Sequence, residues 1–281
     1  VEREPLAGPF ELEGRGQRVV FGGAEEGFDC LGIENRLAGD ARFVRVRAGM
    51  AGLWSLAFQT PAGAEGRTES VSLDNRAGAA SSRTAERVKG GLVFTWRDLD
   101  LPGEPKAVDV CAEVRLAGDG ASSEWRLRVT NRSRRYGLYQ SEFPLLRAVV
   151  PAGVGDVLLP RGNWGGSLMR QSVDAYVGRY PSHGCPVQMV AFNLGEAGLC
   201  LAAHDGAAGS KEIAVTAEQD ATFRVLAPGA GTPGTGGGPS FPVVVSSYAG
   251  DWWQAARLYR EWALRQPWTA KGPLSARGDY P

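Results

Sequence analysis

The chain contains two histidines, His183 and His204, and each lies close to a cysteine, Cys185 and Cys200. Imidazole and thiolate are ligands that zinc prefers, so these four side chains are the natural candidates for a metal site. If residues 199–204 form a strand, however, positions 200 and 204 stand about 13 Å apart. Two ligands at that separation cannot hold one ion. The spacing therefore predicts no metal site, and no motif implies a cofactor.

The same histidines also suit proton transfer at the anomeric carbon of a sugar, which imidazoles and a carboxylate can perform. They equally suit structural or surface positions in which each ring is hydrogen-bonded. Three aromatic residues, Trp164, Tyr176 and Tyr180, precede His183. Their rings could stack on the C–H faces of sugars or could pack inside the protein. The residues alone leave both alternatives open.

One phosphate-binding pattern occurs, at Gly229, Gly231 and Gly234. In a dinucleotide-binding fold such a loop opens a helix whose N-terminus holds pyrophosphate. Here Pro233 and Pro239 and further glycines prevent a helix from beginning, so the pattern is accidental. The chain also lacks G-x-S-x-G, P-loop and H-E-x-x-H motifs. No nucleophile or nucleotide is indicated.

Composition narrows the classes of partner. The 281 residues include 31 basic and 31 acidic side chains, with a net charge of zero and no basic stripe, which argues against nucleic acid. No apolar run approaches the length of a membrane span, and the N-terminus lacks the form of a signal peptide. We therefore expect no membrane partner. The compartment stays unassigned, although a secreted or periplasmic location would follow if a signal peptide had been removed.

Short alternating segments fill residues 10–248, separated by turns that use many of the 39 glycines. Trp125, Leu127 and Val129, for example, alternate with charged residues, as in a half-buried strand. About fourteen such segments predict a large antiparallel sandwich of two stacked sheets. Residues 160–186 lack periodicity and are interpreted as a long functional loop with exposed aromatic residues. The four cysteines are predicted to be buried thiols, although disulfides stay open.

Residues 251–266 have helical periodicity instead. Trp252, Tyr259 and Trp262 recur on one face, and this stripe is predicted to pack on the sandwich. Asp251 is the expected N-cap, with Gln254 reaching back toward it. We accordingly divide the chain into a sandwich (1–249), a packed helix (250–267) and a linker (268–281), which is expected to lead into a further part of a larger protein.

Four stretches together carry a family resemblance. They are WRLRVTN at 125–131, LYQSEFPLL at 138–146, RYPSHGCPVQMVAFNLGEAGLCLAAHDG at 179–206 and DWWQAARLYREWALRQPW at 251–268. In this order they resemble the N-terminal, galactose-mutarotase-like β-supersandwich that precedes the catalytic (β/α)8 barrel in bacterial glycoside hydrolases. The likeness is greatest to enzymes related to endo-α-N-acetylgalactosaminidases and α-galactosidase-like hydrolases, whose final helix and linker resemble residues 252–277.

The resemblance implies an all-β fold, a large antiparallel β-sandwich with one C-terminal amphipathic helix. It also implies two partners, an oligo- or polysaccharide and a catalytic barrel that follows in the same gene. The acid and nucleophile carboxylates of such enzymes lie on the barrel, so this chain would be non-catalytic. It would support the barrel and could lend a loop to the substrate cleft, with Tyr180, His183, Gln188, His204 and Asp205 as the candidate contacts.

Two other functions stay open. The first is a free-standing sugar mutarotase or epimerase, although two histidines and a glutamate do not align with the catalytic pattern of such enzymes. The second is a carbohydrate-binding or structural surface module, for which Trp164, Tyr176 and Tyr180 would supply the stacking faces.

Overall fold

The computed structural model describes residues 8–46, 49–62, 66–162, 166–170, 174–227, 229, 231–270 and 272. Two short 3-10 helices, Ala80–Ser82 and Pro267–Thr269, lie within these ranges, and the other regular elements are strands and one α-helix. In chain order they are β1 (Phe10–Glu13), β2 (Gln17–Phe21), β3 (Cys30–Asn35), β4 (Ala41–Phe43), β5 (Ser55–Gln59), β6 (Ser70–Asp74), β7 (Arg83–Val88), β8 (Gly91–Leu101), β9 (Glu104–Leu116), β10 (Ser122–Asn131), β11 (Gly137–Leu146), β12 (Asp156–Leu159), β13 (Ser167–Met169), β14 (Tyr176–Tyr180), β15 (Met189–Leu194), β16 (Ala197–Ala203), β17 (Lys211–Val215), β18 (Ala221–Leu226), β19 (Val243–Ala249) and the helix α1 (Trp252–Ala263).

The strands form three antiparallel sheets, which confirms the predicted all-β sandwich. The largest has nine strands in the order β13-β12-β15-β16-β19-β10-β9-β8-β7. A six-stranded sheet has the order β14-β17-β18-β11-β5-β6, and a four-stranded sheet the order β1-β2-β3-β4. The expectation of two sheets was thus incomplete, because the layer that covers the nine-stranded sheet consists of two smaller sheets.

The main core lies between these layers. Trp125 of β10 is fully buried and contacts Phe21 of β2, with ring centroids 5.4 Å apart, and Phe143 of β11, at 6.4 Å. Phe21 also contacts Phe94 of β8 at 4.9 Å. One face of the nine-stranded sheet therefore packs against both smaller sheets. We call this its inner face.

The opposite, outer face of the nine-stranded sheet carries α1, which packs over β15, β16 and β19. In β16, Leu199 and Leu201 join the main core, while Cys200 and Ala202 join a second apolar cluster beneath the helix. All of β16 is buried as a result. A strand covered on both faces needs apolar residues at consecutive positions, which explains its sequence AGLCLAA.

The half-buried strand predicted from Trp125, Leu127 and Val129 is confirmed, because these residues lie on the buried positions of β10. The interpretation of residues 160–186 as one irregular loop was wrong, because this segment contains β13 and β14. In β14 the buried positions are Tyr176, Gly178 and Tyr180. The central glycine weakens the apolar alternation in the sequence, although the strand pairs regularly with β17.

The helix begins as predicted, because Asp251 accepts a hydrogen bond from the backbone N–H of Trp253 at 3.0 Å. Instead of reaching back, Gln254 accepts from Arg257 at 3.4 Å. The predicted stripe is wrong at Trp252, which is 38% exposed, whereas Trp262 is 7% exposed. Small Ala255 is fully buried on the sheet side of the first turns. Most of the predicted linker lies outside the described residues.

All four cysteines are free thiols, and Cys111 is half-buried while the other three are buried. Among the described residues, no helix has the length and apolar character that crossing a membrane requires.

Replacing Trp262 by alanine should lower the free energy of unfolding by about 3 to 5 kcal/mol, because it removes a buried indole between the helix and the sheet. Urea titration would measure the loss. Trp253→Ala is the matched control, since Trp253 is 56% exposed and should change stability by no more than about 0.5 kcal/mol. Equal effects of the two substitutions would show that α1 is merely attached to the sandwich.

Candidate functional site

Three of the predicted carbohydrate contacts come together around a residue that the sequence reasoning missed, Lys211. Tyr180 is the register partner of Lys211 where β14 pairs with β17. Gln188 immediately precedes β15, and Asp205 follows β16. The Lys211 ammonium donates to Asp205 Oδ2 at 2.8 Å, to Gln188 Oε1 at 2.9 Å and to the Gly209 carbonyl at 2.6 Å. We call these residues the Lys211 cluster.

The acceptors of this cluster are themselves held by the turn that follows β16. Asp205 Oδ1 accepts from the backbone N–H of Ala207 at 3.0 Å, and Oδ2 accepts from that of Gly209 at 2.8 Å. The Gln188 amide donates to the Asp205 carbonyl at 3.1 Å. Each partner is thereby fixed by at least one further hydrogen bond within the cluster.

Aromatic rings complete the surroundings of the ammonium. Its nitrogen lies 4.6 Å from the centroid of the Tyr180 ring and 4.8 Å from that of Phe241, which allows cation–π attraction on both sides. Burial lowers the pKa of Lys211, and the hydrogen bond and charge of Asp205 oppose that shift. Lysine has three donors, and all three are used inside the protein. The cluster is therefore a closed structural centre with no free ammonium donor for a sugar hydroxyl.

The expectation that Tyr176 or Tyr180 would be exposed is wrong. They are 8% and 7% exposed because they lie on the inward-facing positions of β14. The Tyr176 hydroxyl donates to the Pro160 carbonyl at 3.0 Å, and burial raises its pKa. Both tyrosines thus pack inside the protein instead of offering a stacking face. The third ring candidate, Trp164, lies outside the described residues.

The two histidines lie in different surroundings. His183 is exposed in the turn that follows β14. His204 stacks face to face on Trp262 of α1, with centroids 4.7 Å apart and an interplanar angle of 11°. Burial, and to a smaller extent the charge of Arg265, lowers the pKa of His204 to about 4. At neutral pH His204 is therefore an uncharged packing partner of the helix.

The zinc candidates separate in the same way. Cys200 faces α1, whereas Cys185 lies in the main core and donates to the Val187 carbonyl at 3.7 Å. Among the described residues, His, Cys, Asp and Glu side chains do not form a group of three or more that could hold a metal ion.

A large concave apolar surface was not predicted as a site. It is an apolar groove of about 560 Å³ between α1 and the β12–β13 hairpin, and we call it the helix groove. Trp252 and Trp253 form one wall, with their rings 5.7 Å apart and nearly perpendicular. The remaining lining residues are Leu158, Leu159, Pro160, Gly166, Leu168, Val187, Met189, Ala256 and Tyr259. The sequence feature that could have indicated this groove is Trp253, a large indole that lies outside the predicted apolar stripe of the helix.

Two further large apolar side chains are exposed beyond the end of the helix. Leu264 and Trp268 are both exposed, and Trp268 contacts the edge of Trp262 with ring centroids 5.7 Å apart. Large exposed apolar patches on a folded protein usually mark a surface that another molecule covers.

Comparison with known proteins supports the fold. No protein-family model matches the chain, and no curated protein matches its sequence. Among solved structures, an α-N-acetylgalactosaminidase from Bifidobacterium bifidum superposes with a TM-score of 0.63 at 11% identity over 95% of this chain and 40% of its own. An α-mannosidase from Enterococcus faecalis gives 0.53 at 9% identity, over 95% of this chain and 32% of its own. An α-galactosidase from Lactobacillus brevis gives 0.50 at 10% identity, over 86% and 39%.

The chain therefore spans between a third and two fifths of the length of the solved structures that it resembles. At these identities the likeness establishes a shared sandwich fold, which three α-glycosidases contain as part of a longer chain.

The Lys211 cluster makes a prediction about stability. Asp205→Asn should lower the free energy of unfolding by about 3 kcal/mol, because it leaves a buried ammonium without its counter-charge. In the double variant Lys211→Met/Asp205→Asn the charge is gone, so a large part of the loss should return. Urea titration of the single and double variants gives the coupling energy. Strictly additive losses would show that the two side chains are not energetically paired.

A second prediction concerns pH and His204. Its pKa is about 4 in the folded chain against an ordinary value of 6.5. Between these values the unfolded chain binds a proton that the folded chain does not. The free energy of unfolding should therefore fall as pH decreases from about 6.5 to about 4. His204 should contribute at most about 3 kcal/mol to this loss.

The measurement compares urea titrations at pH 7 and pH 4.5 for the parent and for His204→Phe, which keeps a ring against Trp262. Contributions from carboxylates cancel in the difference between the two proteins. The parent should lose about 2 to 3 kcal/mol more than the variant over this interval. Equal losses would mean that His204 is protonated as readily in the folded chain as in the unfolded one.

Proposed function

We propose that this chain is the non-catalytic β-sandwich module of a carbohydrate-active glycoside hydrolase, and that it supports a catalytic barrel of the same protein. The observation that carries the proposal is the fold, which covers 95% of this chain in the α-N-acetylgalactosaminidase and the α-mannosidase but only 40% and 32% of those chains. In this proposal the remaining part of the whole protein contains the barrel and the reaction.

The residues that line the helix groove support the proposal that this module is non-catalytic. Hydrolysis of a glycosidic bond uses two carboxyl groups on opposite sides of that bond. The described lining of the helix groove contains no aspartate or glutamate. The one carboxylate among the predicted sugar contacts, Asp205, is buried and is bonded to Lys211. Neither place offers the pair of accessible acids that the reaction needs.

The helix groove instead suits a docking role. We assign it, together with exposed Leu264 and Trp268, as the surface that the catalytic barrel covers. A barrel with an outer ring of helices would place apolar side chains between Trp252 and the β12–β13 hairpin. Arg257 and Arg260 lie exposed on α1, and Glu261 is its one acidic residue, so the complementary rim of the barrel should be acidic.

The assignment predicts that the isolated chain does not hydrolyse p-nitrophenyl glycosides of α-N-acetylgalactosamine, α-galactose or α-mannose. The complete gene product should hydrolyse at least one α-glycoside. Substituting Trp253→Asp should lower the melting temperature of the complete protein by several degrees, because a charge would be buried in the docked interface. The same substitution should leave the isolated chain within about a degree, since Trp253 is exposed there.

Two results would replace this proposal. Acceleration of anomeric exchange of galactose or glucose by the isolated chain, measured by polarimetry and abolished in His183→Ala, would establish a free-standing mutarotase. Micromolar binding of an oligosaccharide that is lost in Trp253→Ala would establish a dedicated binding module that uses the exposed indoles.

A further inference from the structure

A second concave site lies on the outer face of the nine-stranded sheet, beside the part that α1 covers. Strand β10 pairs with β9 along its length, but it pairs with β19 only from Ser122 to Trp125. Beyond that point a glycine-rich segment, residues 236–240, lies along the free edge of β10. We call it the strap. Val129 and Gly237 exchange two backbone hydrogen bonds of 2.5 and 2.7 Å that hold the strap in place.

Two glycines bring the strap directly onto the strand. A Cβ atom on Gly236 would lie 2.5 Å from the Val129 carbonyl oxygen, and one on Gly238 would lie 2.5 Å from that of Leu127. Neither position has room for a side chain. A crevice of about 320 Å³ remains above the strand, and we call it the strap crevice. Its lining residues are Cys111, Glu113, Arg126, Leu127, Arg128, Gly237, Gly238, Pro239 and Ser240.

The charges in the strap crevice are not balanced. Arg126 is paired with Glu124 at 3.5 Å, and Glu113 is bonded to Arg115. Arg128 stands opposite Cys111 in the strand register, and Cys111 stands opposite Thr95, so its cross-strand row contains no carboxylate. Among the described residues, no carboxylate lies within 4.0 Å of the Arg128 guanidinium.

Exposed Ser240 adds a hydroxyl to the same crevice. A guanidinium can bind a carboxylate through two parallel hydrogen bonds, and a serine hydroxyl can donate to or accept from a sugar hydroxyl. The crevice volume is at the lower end of the range for small-molecule sites, which suits one sugar residue.

We propose that the strap crevice binds a uronic acid residue of a carbohydrate, with its carboxylate on Arg128 and a ring hydroxyl on Ser240. The choice of a sugar as the carrier of the carboxylate rests on the function proposed above. The excess positive charge of Arg128 and the open, polar crevice come from the structure alone. Neutral sugars lack the group that the free guanidinium would recognise.

The test is a titration by saturation-transfer NMR with methyl α-galacturonide and with neutral methyl α-galactoside. The uronide should bind with a dissociation constant in the millimolar range, because few contacts offset the entropy of association. The galactoside should bind at least tenfold more weakly. Raising sodium chloride from 0.05 to 0.5 M should weaken uronide binding severalfold, since the site is exposed to solvent.

Substitutions at Arg128 and at a distant arginine test whether the uronide binds in the strap crevice. Arg128→Gln should weaken uronide binding about tenfold, and Arg128→Lys should give an intermediate loss because it keeps the charge but not the two-point geometry. Arg260→Gln on α1 removes the same charge outside the crevice and should leave binding unchanged. Both positions carry exposed side chains, so the melting curves of the three variants should stay within about a degree of the parent.

The proposal is wrong if the uronide and the galactoside bind equally, or if Arg128→Gln binds the uronide as well as the parent does. It is also wrong if sodium acetate displaces the uronide as effectively as free galacturonate does, because the sugar ring would then contribute nothing. Glycoside hydrolysis by the isolated chain would overturn the proposed function without affecting this titration, so the two failures can be told apart.

Discussion

The indole of Trp125 lies where all three sheets meet. Its ring packs against Phe21 of the four-stranded sheet and Phe143 of the six-stranded sheet, while its own strand is central in the nine-stranded one. Its N–H donates to Ser123 at 2.9 Å, and Ser123 donates to Gln17 at 2.8 Å. Such a partner offsets the cost of removing an indole N–H from water. The Trp125 ring thus contacts both small sheets, and its N–H links the nine-stranded sheet to β2 through Ser123.

Buried polar groups elsewhere in the sandwich also have hydrogen-bond partners, and Asp29 is an example. Asp29 is fully buried, and it accepts from Asn75 at 2.6 Å, from the Gly52 backbone at 2.8 Å and from Arg76 at 2.5 Å. The Lys211 cluster solves the same problem at the other end of the sandwich. Charged residues are tolerated inside such clusters because their buried polar atoms have hydrogen-bond partners. The same completeness leaves Asp205 and Lys211 without groups to offer a ligand, so the sequence-based assignment of Asp205 to a sugar site competes with its structural role.

Sequence patterns predicted the secondary structure best where neighbouring elements cover a strand. Alternation in β10 and the continuous apolar run of β16 record burial on one or two faces, and the cap at Asp251 is a local hydrogen bond. Strands β13 and β14, which the interpretation of residues 160–186 as a loop missed, are edge strands of their sheets. An edge strand is less buried and tolerates polar residues, so its periodicity is weaker. Sheet order, and the meeting of Lys211 with Asp205 and Gln188, depend on pairings between distant segments that no local pattern contains.

The outer face of the nine-stranded sheet shows how one surface serves several purposes. Where α1 covers β15, β16 and β19, the outward residues are apolar, and Ala255 and Trp262 complete that packing. Where no helix covers β9 and β10, the outward residues are Glu113, Arg126 and Arg128, as contact with water requires. Trp253 and Trp268 fit neither condition, since they are apolar yet exposed and add little to the packing of α1 on the sheet. Their burial would take a surface that the sandwich does not supply, which is the physical basis for proposing that a further domain docks on α1.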